Sequence, residues 1–248
     1  MQPPRWRYGF TPQPAADFNA QVTDVYTVYR DAPPWGQQGA RVGSPDELTG
    51  VQALERKPPG RPMASGQGAR REFEYIRHGT CTCILSREVV PGQVRAPSAG
   101  PPRTEADFLA HVQGVVATDP QAPCWHFVVD NLDIQRSASL VQWVAEGSGL
   151  TQDVGVKGTS GIVTSRQSRA AFLGEPSHRV VLHDTPQHGS WLNQIEIGLS
   201  IVVRKLLHRG SFVSGDDLKA RVFAFIEYYT RTMAQPFKWT SQGKPLTV

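Results

Sequence analysis

The clearest pattern of apolar and polar positions predicts a long helix near the end of the sequence, from Gly215 to Met233. Its apolar side chains recur every three or four residues, which is the spacing of one helix face. Ser214 stands at the expected capping position, Asp217 follows three residues later, and Pro236 lies just beyond the predicted end. The apolar face consists of Leu218, Val222, Phe225, Ile226, Tyr229 and Met233.

Helical spacing also predicts three shorter helices earlier in the chain. They cover residues 16–30, 104–119 and 138–146. The first should stop at Pro33 and Pro34, because proline removes a backbone donor and clashes with the preceding turn. The glycine- and serine-rich segment 147–170 shows only weak periodicity, and no element is predicted there.

Alternation of apolar and polar residues predicts strands in the first half of the chain. The alternation runs from Glu72 to Val94 and indicates two strands with Gly79 between them. A shorter strand is predicted at Val51–Glu55. The prolines and glycines of residues 97–103 predict a break rather than a strand.

Two short apolar runs end at side chains that can carry chemistry. The run Trp125–Val129 is followed by Asp130, a pattern typical of a buried strand with functional groups at its carboxyl end. The run Arg179–His183 leads through a turn into a helix on which Glu196 is the single acid in an apolar and basic setting. Because an unpaired buried charge is costly, this setting predicts that Glu196 binds a metal ion.

The composition is compatible with one large domain and with a nucleic-acid partner. Hydrophobic residues make up 39% of 248 residues, the net charge is +4 and the pI is about 9.1. No run approaches the roughly 18 apolar residues of a membrane span. Cys81 and Cys83 are interpreted as packing residues on one strand, and the cysteine pattern favours a reduced, cytoplasmic setting.

Three acids stand out by their positions: Asp46 near the predicted first strand, Asp130 and Glu196. Carboxylates on neighbouring strand ends and a facing helix can hold two divalent ions, which activate a water or a 3′-hydroxyl for attack on a phosphodiester. Hard oxygen ligands favour Mg²⁺ or Mn²⁺. A second interpretation stays open for Asp46, because Ser44-Pro45-Asp46-Glu47 is also an ordinary β-turn sequence.

Several stretches of the sequence together resemble the DDE transposases, in the bacterial insertion-sequence branch of the mariner-like superfamily. These stretches are Asp46–Arg56, Arg71–Thr80, Asp130–Leu132, Thr185–Glu196 and the tail from Arg209 to Thr240. The resemblance implies an α/β fold of the ribonuclease-H-like type: a mixed sheet flanked by helices, with a helical C-terminal segment. It also implies that Asp46, Asp130 and Glu196 are the catalytic acids, in that order, and that they bind two Mg²⁺ or Mn²⁺ ions.

The reaction implied by the resemblance is cleavage of DNA strands at transposon ends and transfer of the freed 3′-hydroxyl to target DNA. The implied partners are therefore DNA, a second copy of the chain in a homodimer and a separate helix-turn-helix protein, with no membrane. The implied location is the bacterial cytoplasm, at the nucleoid. The residues expected to contact substrate are Asn131, His188, Trp191, Asn193, Arg204 and Lys205.

Structural interpretations remain open for several of these residues. Asn131 follows a strand and can be a turn former, and His188 and Trp191 can shape the entry from strand to helix. The basic pair Arg204 and Lys205 can meet phosphates or can simply lie on a solvated face.

The predicted catalytic domain covers residues 16–240 and follows a linker or arm at residues 1–15, with no counterpart of the helix-turn-helix domains of full-length relatives. Three residues depart from the family pattern. Pro45 interrupts what should be a central strand, Gln135 stands where many relatives have histidine, and Gly198 stands where many have a large aromatic residue. These departures support an alternative: an inactive transposase remnant, or a DNA-associated interaction module that retains the fold.

Overall fold

The computed structural model describes residues 17–57, 63–68, 74–100, 104–130, 133–150, 153–187, 189–208 and 210–236. Its strands are β1 (Arg41–Arg56), β2 (Tyr75–Glu88), β3 (Val94–Gly100), β4 (Trp125–Val129) and β5 (Val180–Asp184). Its α-helices are α1 (Phe18–Gln37), α2 (Glu105–Ala117), α3 (Ala138–Gly147), α4 (Arg166–Leu173), α5 (Ile195–Val202) and α6 (Gly215–Thr232).

The five strands form one mixed sheet in the order β3-β2-β1-β4-β5. The pairs β1–β2 and β2–β3 are antiparallel, whereas β4 is parallel to both β1 and β5. An antiparallel meander that continues into parallel strands, with helices between them, is the ribonuclease-H-like arrangement. The predicted α/β fold class is therefore confirmed.

Alternation along β4 shows how the helices divide between the two faces of the sheet. Phe127 and Val129 pack in a core with α2, α3 and α4, whereas Val128 points to the opposite face and packs with α1. On that same opposite face, α5 and α6 cover β1 and β2 in a second core that contains Cys81 and Cys83. The packing role predicted for these two cysteines is confirmed.

The predictions for α6, α2 and α3 are confirmed. Ser214 caps α6 by accepting a hydrogen bond from the Asp217 amide, and Thr104 and Asp107 form a complete capping box on α2. Strongly periodic helices with local caps can be located from sequence because the signals lie within a few residues of each other. None of the helices in the described ranges is long and apolar enough to cross a membrane.

The predicted end of the first helix is wrong. Helix α1 continues through Pro33 and Pro34 to Gln37. The additional turn packs against the sheet: Ala32 is fully buried, and the Trp35 ring stacks on His126 with 4.3 Å between ring centroids. Tertiary packing thus outweighs the backbone hydrogen bonds that the two prolines cannot make.

Three strand predictions are also wrong in their boundaries, two of them because glycine or proline was interpreted as a break. Gly79 lies inside the continuous strand β2, at a φ of +99° close to a register shift in the β1–β2 ladder. Pro97 lies within β3, which is an edge strand and tolerates a missing donor. Val51–Glu55 is part of the long strand β1 rather than a separate element.

Helix α4 was not predicted, because it lies in a segment of weak periodicity. A local signal was present, since Ser165 and Ser168 form a reciprocal capping box at its start. The predicted arm at residues 1–15 and the end of the predicted domain at residues 237–240 lie outside the described residues.

Candidate metal centre

The structure brings together the three acids singled out in the sequence. Asp46 lies on β1, Asp130 follows the last residue of β4, and Glu196 lies in the first turn of α5. One carboxylate oxygen from each residue lies within 4.8 Å of the others. Among the described residues, none of these three carboxylates forms an ion pair with a basic side chain.

The sheet register explains why Asp46 and Asp130 meet. Strands β1 and β4 pair in parallel only over Arg41–Gly43 and Trp125–Phe127. Beyond that point β4 continues only alongside β5 and ends at Val129, whereas β1 continues alongside β2 and pairs Asp46 with Leu85. The Asp46 side chain therefore lies where Asp130 leaves the sheet.

Pro45 is compatible with this central strand because its backbone nitrogen and carbonyl face α5 rather than the neighbouring strand β2. The Pro45 carbonyl accepts a hydrogen bond from Asn193 Nδ2 at 3.2 Å, so it points toward α5 rather than into the β2 ladder. The backbone N and the carbonyl of one strand residue point to the same side of the strand. The nitrogen of Pro45, which has no hydrogen to donate, therefore also faces α5, beyond the residues of β1 that pair with β4. The β-turn interpretation of residues 44–47 is wrong, since these residues are strand.

The expectation that Glu196 carries a buried charge is wrong. Its side chain is exposed, whereas Asp130 is half-buried and Asp46 is 7% exposed. The buried and costly charge of the cluster is therefore that of Asp46. Glu196 is distinguished by its position at the start of α5, facing the other two acids.

Burial raises the pKa of every acid in the cluster, and repulsion between the acids raises it further at Asp46 and Glu196. The pKa of Asp46 is raised to about 8, mainly by burial and further by the negative charges of Asp130, Glu47 and Glu196, although the Glu47 amide donates a hydrogen bond to Asp46 Oδ1 at 2.7 Å. Burial also raises the pKa of Asp130 and that of Glu196, with a further contribution from Asp130 to the latter. The ionised forms of these three acids therefore lack a neighbouring positive charge that would stabilise them.

Two neutral side chains orient Asp130. Thr185 Oγ1 donates to Asp130 Oδ1 at 3.1 Å, and Asn193 Nδ2 approaches the same oxygen at 3.4 Å. Both hydrogen bonds favour the ionised form and oppose the effect of burial on the Asp130 pKa. Sequence reasoning missed the contribution of Thr185, although its position one residue after β5 was a signal.

The donor set fits a hard divalent cation. Three carboxylates converge without a compensating base among the described residues, and oxygen ligands of this type suit Mg²⁺ or Mn²⁺. The cluster opens into a cleft of about 370 Å³, so a substrate can reach it. The cleft is lined by Asp46, Glu47, Leu48, Thr49, Glu196, Leu199, Ser200, Val203 and Arg204.

The other predicted site residues differ in their placement. Trp191 is 59% exposed on the short 3₁₀ turn Ser190–Leu192, and Asn193 is completely buried behind the acids. Arg204 and Lys205 are exposed on the π-helical turn Val203–Leu207, and Arg204 lines the cleft. Asn131 and His188 lie outside the described residues.

Gly198 and Gln135, the other two departures from the family pattern, fit their surroundings to different degrees. A methyl group added at Gly198 would meet Ile195 Cδ1 at 3.5 Å, an ordinary contact. Gln135 is completely buried, and its amide oxygen and nitrogen find no hydrogen-bond partner among the described residues. An unsatisfied buried amide is costly, so Gln135 is the less favourable of the two.

Comparison with known proteins identified one family. The model of the DDE superfamily endonucleases matches residues 44–219, a range that includes all three acids. No curated protein sequence matched the chain.

Two solved structures to which the chain is similar are complexes of the Mos1 mariner transposase. The paired-end complex with Mn shares 9% identity over 95% of this chain and 60% of that one, with a TM-score of 0.47. The strand transfer complex shares 11% identity over 93% of this chain and 62% of that one, with a TM-score of 0.49. The chain thus spans about three fifths of the Mos1 chains that it matches.

Proposed function

Because the chain belongs to the DDE superfamily of endonucleases, we propose that it cleaves DNA strands at the ends of a transposable element and joins the freed 3′-hydroxyl to target DNA. The observation that carries this proposal is the convergence of Asp46, Asp130 and Glu196 within 4.8 Å at the mouth of an open cleft. The same proposal places the chain in the bacterial insertion-sequence branch, acting in the cytoplasm at the nucleoid.

Asp46, Asp130 and Glu196 would hold two divalent cations, Mg²⁺ or Mn²⁺. When bound, such a pair lowers the pKa of an attacking water or hydroxyl and stabilises the leaving oxygen of the phosphodiester. Three carboxylates together supply more negative charge than one divalent ion neutralises, which supports two ions rather than one.

The chain's own residues would prepare the site in distinct ways. Asp130 is held by Thr185 and Asn193, so its free carboxylate edge is presented in one orientation. Asp46 is held by β1, and its Oδ1 accepts from the next backbone amide, which fixes the direction of its side chain. Glu196 is exposed and can adjust to the substrate, because it lies on the cleft side of α5.

The side chains around the cleft would bind the DNA backbone. Arg204 lines the cleft close to the acids and already donates through Nε to the Ser200 carbonyl at 3.1 Å, which holds the guanidinium near the opening. Lys205 is exposed on the same turn, and such groups bind phosphates without regard to sequence. Trp191 is an exposed aromatic surface that a base or sugar can contact. A homodimer and a separate helix-turn-helix protein are the proposed protein partners.

Nicking of supercoiled plasmid by the purified chain tests this proposal. Wild-type protein should convert supercoiled to open-circle DNA with Mn²⁺ or Mg²⁺ and should be inactive with EDTA. Asp130→Asn keeps the size and one hydrogen-bond acceptor of the side chain but removes its charge, so it should abolish nicking. Equal nicking by both proteins would exclude the assignment, and a wild type that binds metal without nicking would favour the inactive-remnant alternative.

A further inference from the structure

The helix that carries Glu196 is capped by residues from two distant elements. The first amides of a helix need acceptors, yet the Gln194 side chain at the cap position of α5 makes no capping hydrogen bond. Instead Ser44 Oγ accepts from the Ile195 amide at 3.1 Å, and the Tyr29 hydroxyl accepts from the Gln194 amide at 3.2 Å. The start of α5 is therefore held by β1 and α1.

The same two hydroxyls donate to the segment just before the helix. Tyr29 donates to the Leu192 carbonyl at 2.8 Å, and Ser44 donates to Asn193 Oδ1. A hydroxyl has a single proton, so each must act as the acceptor toward its amide. This directionality points Asn193 Oδ1 toward Ser44 and leaves its NH₂ group for Pro45 and Asp130.

Hydrogen bonds of this network reach all three segments of the chain that carry an acid. Ser44 and Asp46 are two residues apart on β1 and therefore point to the same face, and Ser44 bonds the residue that precedes Glu196. Asn193 completes the network by donating to Asp130 at the end of β4. Tyr29, Ser44 and Asn193 are 3%, 0% and 0% exposed, so water does not compete for these bonds.

We propose that Tyr29, Ser44 and Asn193 are positioning residues, which hold Asp46, Asp130 and Glu196 at metal-binding separation before any cation arrives. This inference rests on the proposed function of the acid cluster. The acids repel one another when they are ionised, the form that binds a cation, so a neutral hydrogen-bonded frame favours their close approach. Loss of one of these hydrogen bonds should let α5 move relative to β1 and weaken metal binding. This effect should come in addition to the loss of stability that removal of a helix cap normally causes.

The test compares Tyr29→Phe and Ser44→Ala with matched controls whose hydroxyl groups bond other partners than the acids or this network. Tyr229→Phe also removes a buried hydroxyl, one that accepts from Arg87 Nη1 at 2.8 Å. Ser137→Ala also removes a buried hydroxyl that caps a helix, by accepting from the Leu140 amide at 3.2 Å. Calorimetric titration with Mn²⁺ and thermal unfolding of the metal-free protein are measured for the wild type, for these four variants and for Asp130→Asn.

We expect Tyr29→Phe and Ser44→Ala to weaken Mn²⁺ affinity about 10–100-fold, the usual effect of losing residues that support metal ligands. Both controls should lose comparable stability and keep wild-type Mn²⁺ affinity. Wild-type affinity in Tyr29→Phe, which retains the buried ring, would overturn the positioning role. If the wild type and Asp130→Asn bind Mn²⁺ equally, the proposed metal centre itself fails.

Amide hydrogen exchange of the wild type gives a second readout that needs no variant. A preformed frame predicts that the Gln194 and Ile195 amides exchange slowly in the metal-free protein and change little on addition of Mg²⁺. Fast exchange that slows only when Mg²⁺ is added would show that the cation orders the helix start, and would overturn the proposal.

Discussion

Arg136 pairs with Asp184 through two atoms of its guanidinium group. Its Nε lies 2.8 Å from Oδ1 and its Nη2 lies 2.7 Å from Oδ2. Asp184 ends β5 opposite Val129, the residue before Asp130. Two aspartates thus lie at neighbouring strand ends, but only Asp184 has its charge compensated, so Asp130 is the one left for a cation.

Removal of Arg136 should destabilise the fold strongly. Arg136→Met would leave Asp184 without its guanidinium partner in a largely buried position, which typically costs about 3–5 kcal/mol. Urea unfolding measures the change, and Arg136→Met combined with Asp184→Leu should recover part of the loss. A change of less than about 1 kcal/mol in the single variant would show that water or another group replaces the arginine.

Asp46 should contribute a loss of stability to the metal-free protein as the pH rises from about 4 to about 8. The folded-state pKa of Asp46 is raised to about 8, so in this range the folded state binds a proton that the unfolded state has lost. Asp46→Asn should remove this dependence and be more stable than wild type near pH 8, by an amount on the order of a few kcal/mol. Thermal unfolding in EDTA across this range provides the measurement, and parallel curves for the two proteins would contradict the prediction.

His126, which lies between α1 and the sheet beside His183, should make stability depend on pH in the opposite direction. Burial and the neighbouring His183 lower the pKa of His126 to about 4, although Asp24 on α1 acts against them. At this position the unfolded state therefore binds more protons than the folded state between pH 6.5 and about 4, and the contribution of His126 to stability should fall as the pH decreases through this window. His126→Gln should flatten this part of the curve, measured as the difference from wild type. An unchanged slope would show that His126 has the same pKa in the folded and unfolded states.

Gly198 should tolerate alanine. The added methyl group makes an ordinary contact with Ile195, and alanine is favoured over glycine within a helix by about 1 kcal/mol. Gly198→Ala should therefore stabilise the protein slightly. As a contrast, Gly43→Ala places its methyl 2.8 Å from the Phe127 ring and should destabilise it. Urea unfolding of both variants is the test, and a loss of stability in Gly198→Ala would reveal a constraint on α5 that the packing does not show.

The sequence was most informative where the physical signal is local. Asp130 follows a short apolar run, Ser214 caps a strongly periodic helix, and both predictions depend on residues close together in the chain. The local preferences of Pro33, Pro34 and Gly79 are overridden by longer-range contacts. Packing against the sheet extends α1 past the two prolines, and pairing with β1 continues β2 through Gly79.

The supporting contacts of the site could not be predicted, because they join residues far apart in sequence. Ser44 and Ile195 are separated by 151 positions, and Tyr29 and Gln194 by 165. A serine before a proline suggests a turn, and a tyrosine in an amphipathic helix suggests core packing. Only the three-dimensional structure shows that their hydroxyl groups meet at the start of α5.

Anomalous scattering from crystals grown with Mn²⁺ would locate the divalent metal centre formed by Asp46, Asp130 and Glu196. We expect two Mn²⁺ peaks with carboxylate oxygens of all three acids as ligands, and neither peak in crystals of Asp130→Asn. Peaks only at other sites, or ligation that omits Asp46 and Asp130, would contradict this expectation.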